Sequence, residues 1–226
     1  MTETPEVRYE VADHVATITL DRPERMNTIS RAMLAGLTTH LLAADADPEV
    51  RVVILTGTGR AFCAGLDLTE AVRGAGGIGA AASTATNLEL RDTPPTVLFN
   101  MGKPTICALN GSAAGYGMDT ALGCDIRIMA EGAKMAAAFT KRGIVPESGG
   151  TWFLPRLIGW SKAAELIFTG RTLSAAECVT MGLASRVVPP DALAETARAL
   201  AAEIAANAPL AVQAAKRMMR MGLTET

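Results

Sequence analysis

The run Val52-Val53-Ile54-Leu55 contains no polar residue and is closed by Gly57 and Gly59. A strand without polar alternation is buried on both faces, so it needs packed elements on either side. Further strands are expected at Pro104 to Leu109 and Asp125 to Met129. Val7 to Val11 and Val15 to Leu20 read as two strands around a turn at Ala12 to His14. Between strands the spacing turns helical. Ser30 is a good N-cap, Met33, Leu34, Leu37 and Leu41 follow at helical intervals, and Asp47-Pro48 stops the helix.

The second half is mainly helical. Arg73 to Thr86 is a Gly- and Ala-rich loop, and a helix is predicted from about Leu88 to Met101 in spite of Pro94-Pro95. Ser174 and Glu177 have the spacing of a capping box. Leu193, Ala197, Leu200 and Ile204 form a helical stripe, and Pro209 opens a last helix through Met218. Met218, Met219 and Met221 are expected to be buried helix surface. Strand–helix alternation followed by helices predicts an α/β core over residues 1–190 and a helical C-terminal region over 191–226.

Bulk numbers narrow the function. The 226 residues are 49% hydrophobic, enough to pack a core. The formal charge of −2 argues against a dedicated nucleic-acid binder. Cys63, Cys107, Cys124 and Cys178 form no C-x-x-C pair, and Met1 to Tyr9 is polar, which suits reduced thiols in a cytoplasmic protein. His14 and His40 have no partner at metal-ligand spacing, so no metal site is expected. No apolar run reaches the roughly 18–20 residues of a membrane span.

Two segments carry chemistry. Arg60 to Asp67 (RAFCAGLD) follows the strand ending at Leu55, and Asn110 to Asp119 (NGSAAGYGMD) follows the strand ending at Leu109. Small residues after a strand let backbone N–H groups face a ligand oxygen, and the second segment also opens a helix. One such loop would indicate only a tight turn. Two can aim a pair of N–H donors at one carbonyl oxygen, an oxyanion hole. Gly57-x-Gly59 lacks the third glycine of a dinucleotide loop.

With Asp21-Arg22-Pro23-x-x-x-Asn27, Gly143-Ile144-Val145-Pro146-Glu147, Leu154-Pro155-Arg156-Leu157-Ile158-Gly159, Ala175-Ala176-Glu177 and Gly182-Leu183-Ala184, these segments resemble the crotonase superfamily, the enoyl-CoA hydratase/isomerase family, from about Val7 to Met221. The resemblance implies a ββα spiral core and an enzyme acting on an acyl-CoA thioester, with no cofactor beyond the CoA that the substrate carries. It also implies a homotrimer or hexamer.

By the same resemblance the thioester oxygen lies between the N–H groups of Ala64 and Tyr116. Gly65, Leu66 and Asp67 lie along the CoA, and Arg25 and Met26 border its nucleotide end, although Arg25 also reads as an ordinary solvated charge. The first hydratase glutamate maps to Asp119, and the second to Phe139, which carries no proton. Glu147, eight residues beyond Phe139, matches the catalytic acid of the Δ3,Δ2-enoyl-CoA isomerase branch. Syn addition of water needs two groups to hold the water, whereas a 1,3-proton shift needs one base within reach of two carbons. Isomerase-type transfer by Glu147 is therefore expected. A 2-enoyl-CoA hydratase using Asp119 with Glu147 and a non-catalytic CoA-binding protein remain as alternatives. Both acids also read as charges at helix N-termini. Arg156 reads as a structural ion pair and Cys63 as packing. Relatives continue for several helical turns past the point matching Thr226, so acyl-chain length is not legible here.

Overall fold

A computed structural model describes residues 5–67, 69, 93–146 and 148–223. Strands β1 (Val7–Ala12) and β2 (Val15–Leu20) form an antiparallel hairpin. Its turn residues Asp13 and His14 both have positive φ, the geometry of a two-residue turn whose twist matches the flanking strands. Helix α1 (Arg31–Ala46) starts where the Ser30 hydroxyl accepts the Met33 N–H at 2.9 Å and stops at Asp47.

The chain then contributes strands in pairs. β3 (Val52–Gly57) leads to β4 (Ala61–Cys63), β5 (Thr105–Leu109) to β6 (Ser112–Ala114), and β7 (Ile126–Ala130) to β8 (Lys134–Ala136). The first of each pair joins one sheet and the second another. With β9 (Thr172–Ser174) and β10 (Arg186–Val188), the six-stranded sheet runs β1-β2-β3-β5-β7-β10 and the four-stranded sheet β4-β6-β8-β9. Parallel pairing needs a crossover each time. Helix α2 (Pro94–Asn100) precedes β5, and α3 (Tyr116–Gly123) links β6 to β7. The result is a spiral of ββα turns, as expected.

Each residue of the Val52–Leu55 run is buried, and the two faces belong to different cores. Val53 and Leu55 pack with α1 and α3 residues such as Leu37 and Met118. Val52 and Ile54 pack with Ile106, Ile128 and the Leu193, Ala197, Ala201 and Ala205 stripe of α7 (Leu193–Ala205). Before α7 come α4 (Gly150–Ile158), α5 (Trp160–Thr169) and α6 (Ala175–Met181), the last opened by the expected Ser174–Glu177 capping box. Helix α8 (Pro209–Met221) closes the described chain.

Three expectations need correction or limits. Met218 and Met219 are exposed, at 71% and 75%, and Met221 is also exposed. The residue that α8 buries is Lys216, whose ammonium reaches Asp125 at 2.7 Å and the Lys103 carbonyl at 2.8 Å, so the methionines face outward. The predicted helix from Leu88 begins at Pro94 among the described residues, because proline suits the first turn of a helix and disrupts its interior. The loop expected at Arg73 to Thr86 lies outside the described residues.

Candidate active site

Strands β4, β6 and β8 are parallel neighbours, with Cys63 opposite Ala113 and Ala114 opposite Ala136. Parallel strands end on the same side, so the three segments that follow them converge. These are Ala64-Gly65-Leu66, Gly115-Tyr116 and Ala138-Phe139. They line one cavity of about 70 Å³ with Ala114, Arg142 and Ile144. Two close approaches set its shape. Gly117 packs against Cys63, where a Cβ would lie 2.7 Å from the Cys63 Cβ and collide with its carbonyl. Gly65 has φ +104°, and its Cα faces the Ala114 carbonyl and the Tyr116 nitrogen.

The backbone between residues 64 and 67 is held on its other side by the early loop. The Ala64 N–H donates to the Met26 carbonyl at 3.1 Å. The Ile29 N–H donates to the Gly65 carbonyl at 2.8 Å, and the Asp67 N–H donates to the Ile29 carbonyl at 3.0 Å. Ile29 and Leu66 therefore form a parallel bridge in which the polar groups of Leu66 itself point away from Ile29. That is the side on which β6 and the Gly115-Tyr116 turn lie. The Leu66 N–H meets no acceptor among the described residues. Ala64, expected as an oxyanion donor, has its N–H directed to Met26 instead. Tyr116 is the first residue of α3, ahead of that helix's own hydrogen-bond ladder.

The Asp67 side chain is held by Arg22 and Thr69. Its carboxylate is 3% exposed and turned inward. It accepts from Arg22 Nη1 at 3.0 Å and from Thr69 Oγ1 at 2.5 Å, with Arg25 Nη2 at 3.5 Å. The Thr69 hydroxyl, with the Thr69 N–H and Arg22, outweighs burial and holds the carboxyl down to about 2. Asp67 thus pins the loop and presents no charge to the cavity. Arg25 pairs with Asp67 and Thr69 while staying half exposed. Met26 is partly exposed, and its carbonyl anchors Ala64. Asn27, fully buried, donates to the Thr58 and Ala61 carbonyls at 2.9 Å and accepts the Arg22 N–H at 2.8 Å. It ties the early loop to the start of β4.

Phe139 is buried and lines the cavity, its ring 3.8 Å from where a Gly115 Cβ would stand. Asp119 is fully buried and does not line it. Its Oδ2 accepts from Ser148 Oγ at 2.5 Å. Glu147 lies outside the described residues. Burial pushes the Cys63 thiol up to about 12, consistent with a packing role. Arg156 lies 4.2 Å over the Trp152 ring and donates to the Trp152 carbonyl, in place of the expected ion pair.

The enoyl-CoA hydratase/isomerase family profile matches residues 10–226. The chain belongs to that family. It is 40% identical over 214 residues to the 1,2-epoxyphenylacetyl-CoA isomerase of Escherichia coli, covering 94% of this chain and 80% of the relative. It is 39% identical over 218 residues to the (E)-benzylidenesuccinyl-CoA hydratase of Thauera aromatica, covering 96% and 82%. The crystal structure of an enoyl-CoA hydratase from Bacillus anthracis superposes with a TM-score of 0.90 at 39% identity, over 98% of this chain and 84% of that one. Its relatives thus include proteins named for both reactions.

A second, larger cavity of about 490 Å³ lies between α2, α4 and α8, lined among others by Phe99, Trp152, Phe153 and Lys216. It shares no lining residue with the first, and Pro104 and Ile126 bring the starts of β5 and β7 to it.

Proposed function

We propose that the protein binds an enoyl-CoA thioester, stabilises its enolate between the N–H groups of Leu66 and Tyr116, and moves a proton along the acyl chain with Glu147 as the single base. The observation that carries this reading is Phe139. It fills the cavity wall beside Gly115 with a ring that cannot move a proton. The rest of the described lining is Ala, Gly, Leu, Ile and Tyr, apart from Arg142. No carboxylate lies among those lining residues, so a pair of acids to hold water has no support there.

Two N–H donors on adjacent loops suit a developing thioenolate oxygen, because they are preorganised and need no charged side chain. With the oxygen held, the C2 proton becomes more acidic. A single carboxylate then takes it and returns it two carbons away. Asp119, buried and bonded to Ser148, is a poor candidate for the second acid of a hydratase.

The test is Glu147→Gln. Turnover of a 3-enoyl-CoA falls by at least about 100-fold while CoA binding is unchanged, in line with loss of an essential proton-transfer group. Wild-type turnover in that variant contradicts the assignment.

A further inference from the structure

Asp119 sits three residues after Tyr116 on α3, one turn along the same helix. The helix is buried at every residue, so its first and fourth positions have a fixed relation. The Asp119 carboxylate leaves α3 towards the start of α4. Its Oδ2 takes the Ser148 hydroxyl at 2.5 Å, and its Oδ1 is so close to Gly150 that a Cβ there would stand 2.6 Å away. Gly149 caps α4 with φ +120°, and a Cβ on it would press into the Phe153 ring at 2.7 Å. The turn at residues 148–150 is therefore fixed on both sides, by the carboxylate and by Phe153. A hydroxyl bonded to a carboxylate is short and strong, and the partial positive charge of the α4 N-terminus favours the same anion.

Ser148 is the residue that follows Glu147 in the chain. We propose that Asp119 is a positioning residue. Its carboxylate, through Ser148, fixes the backbone next to Glu147 relative to the Tyr116 N–H at the start of the same helix. The proposal rests on Glu147 as the proton-transferring residue. It gives Asp119 a role that neither of its sequence readings contained: it is not a proton donor, and the helix end that it serves is that of α4. Proton transfer between two carbons depends on the base keeping its distance from the enolate oxygen, so loosening the turn lowers the chemical step and leaves binding largely intact.

The experiment is a double-mutant cycle between Ser148→Ala and Glu147→Gln, with Ser148→Thr as the conservative control and thermal stability measured for each. Ser148→Ala is expected to lower kcat by about 10- to 100-fold with KM within about 3-fold, the size of effect that a misplacement near 1 Å produces. Ser148→Thr restores most of it, because the hydroxyl returns. Added to Glu147→Gln, Ser148→Ala causes little further loss, since it acts through the missing base. Asp119→Asn, which keeps an acceptor oxygen, loses less kcat than Asp119→Ala. Three results overturn the proposal: wild-type kcat in Ser148→Ala, equal loss in Ser148→Thr and Ser148→Ala, or multiplicative losses in the double variant. Activity in Glu147→Gln alone overturns the base assignment and the proposal with it, and the single variant distinguishes that case from the others.

Discussion

The Ala64 N–H donates to the Met26 carbonyl at 3.1 Å, so this donor is already used although Ala64 lines the cavity. Two residues on, the Leu66 N–H faces the other way. Leu66→Pro removes this donor without removing a ladder bond, since the bridge to Ile29 uses the Gly65 carbonyl and the Asp67 N–H. The expected outcome is a fall in kcat of roughly 10²- to 10³-fold, while Leu66→Ala, which keeps the N–H, stays within a few-fold. Steady-state kinetics on folded protein checks it. Equal rates in the two variants contradict the Leu66 assignment.

Asp67 links the fold to pH. Its folded value is depressed to about 2 by Thr69 and Arg22, below the ordinary carboxylate value of about 3.9. The unfolded chain therefore takes up the proton first as pH falls. The resulting stability is fully present above about pH 4 and is lost as pH drops through about 2. Asp67→Asn is expected to have a lower Tm than wild type at pH 7, with the gap closing towards pH 2. A constant gap across that range contradicts the ion-pair account.

Gly117 keeps the two loops together. Gly117→Ala puts a methyl against the Cys63 carbonyl and side chain, and the backbone has to move. Overpacking of this kind costs about 1–3 kcal/mol. Urea unfolding reads the stability, and activity falls by more than stability alone explains, because the same contact sets the spacing between Leu66 and Tyr116.

Phe139→Glu places a carboxylate in the cavity wall beside Gly115. Burial in an apolar wall raises its pKa and lowers stability. The expected gain is 3-hydroxyacyl-CoA from a 2-enoyl-CoA, now that a second acid is present. Absence of any hydration in a folded variant contradicts the view that residue 139 separates the two reactions.

Long or strongly patterned elements were legible in the sequence. Val52 to Leu55 announced a doubly buried strand, Ser30 capped α1, and Ser174 with Glu177 formed the capping box of α6. The four-stranded sheet was not legible. β4, β6, β8 and β9 are three residues each, too short to show a period of two. Yet these strands bring the site together. The two Gly-rich segments do meet at one cavity, but the direction of each N–H depends on the alternation of an extended backbone against Ile29, a contact 37 residues away in the chain. Asp119 and Asp67 were visible as acids near glycine turns. Their partners, Ser148 in one case and Arg22 with Thr69 in the other, come from distant parts of the chain and are visible only in the fold. The outward-facing methionines of α8 escaped notice because an apolar stripe reads the same whether or not anything covers it.

The central claim is tested most directly by incubating the protein in D₂O with a 3-enoyl-CoA and, separately, a 2-enoyl-CoA, and separating products by mass and retention time. The account predicts conversion of the 3-enoyl to the 2-enoyl isomer with no added water. Formation of a 3-hydroxyacyl-CoA from the 2-enoyl substrate, with the 3-enoyl substrate unchanged, would contradict it.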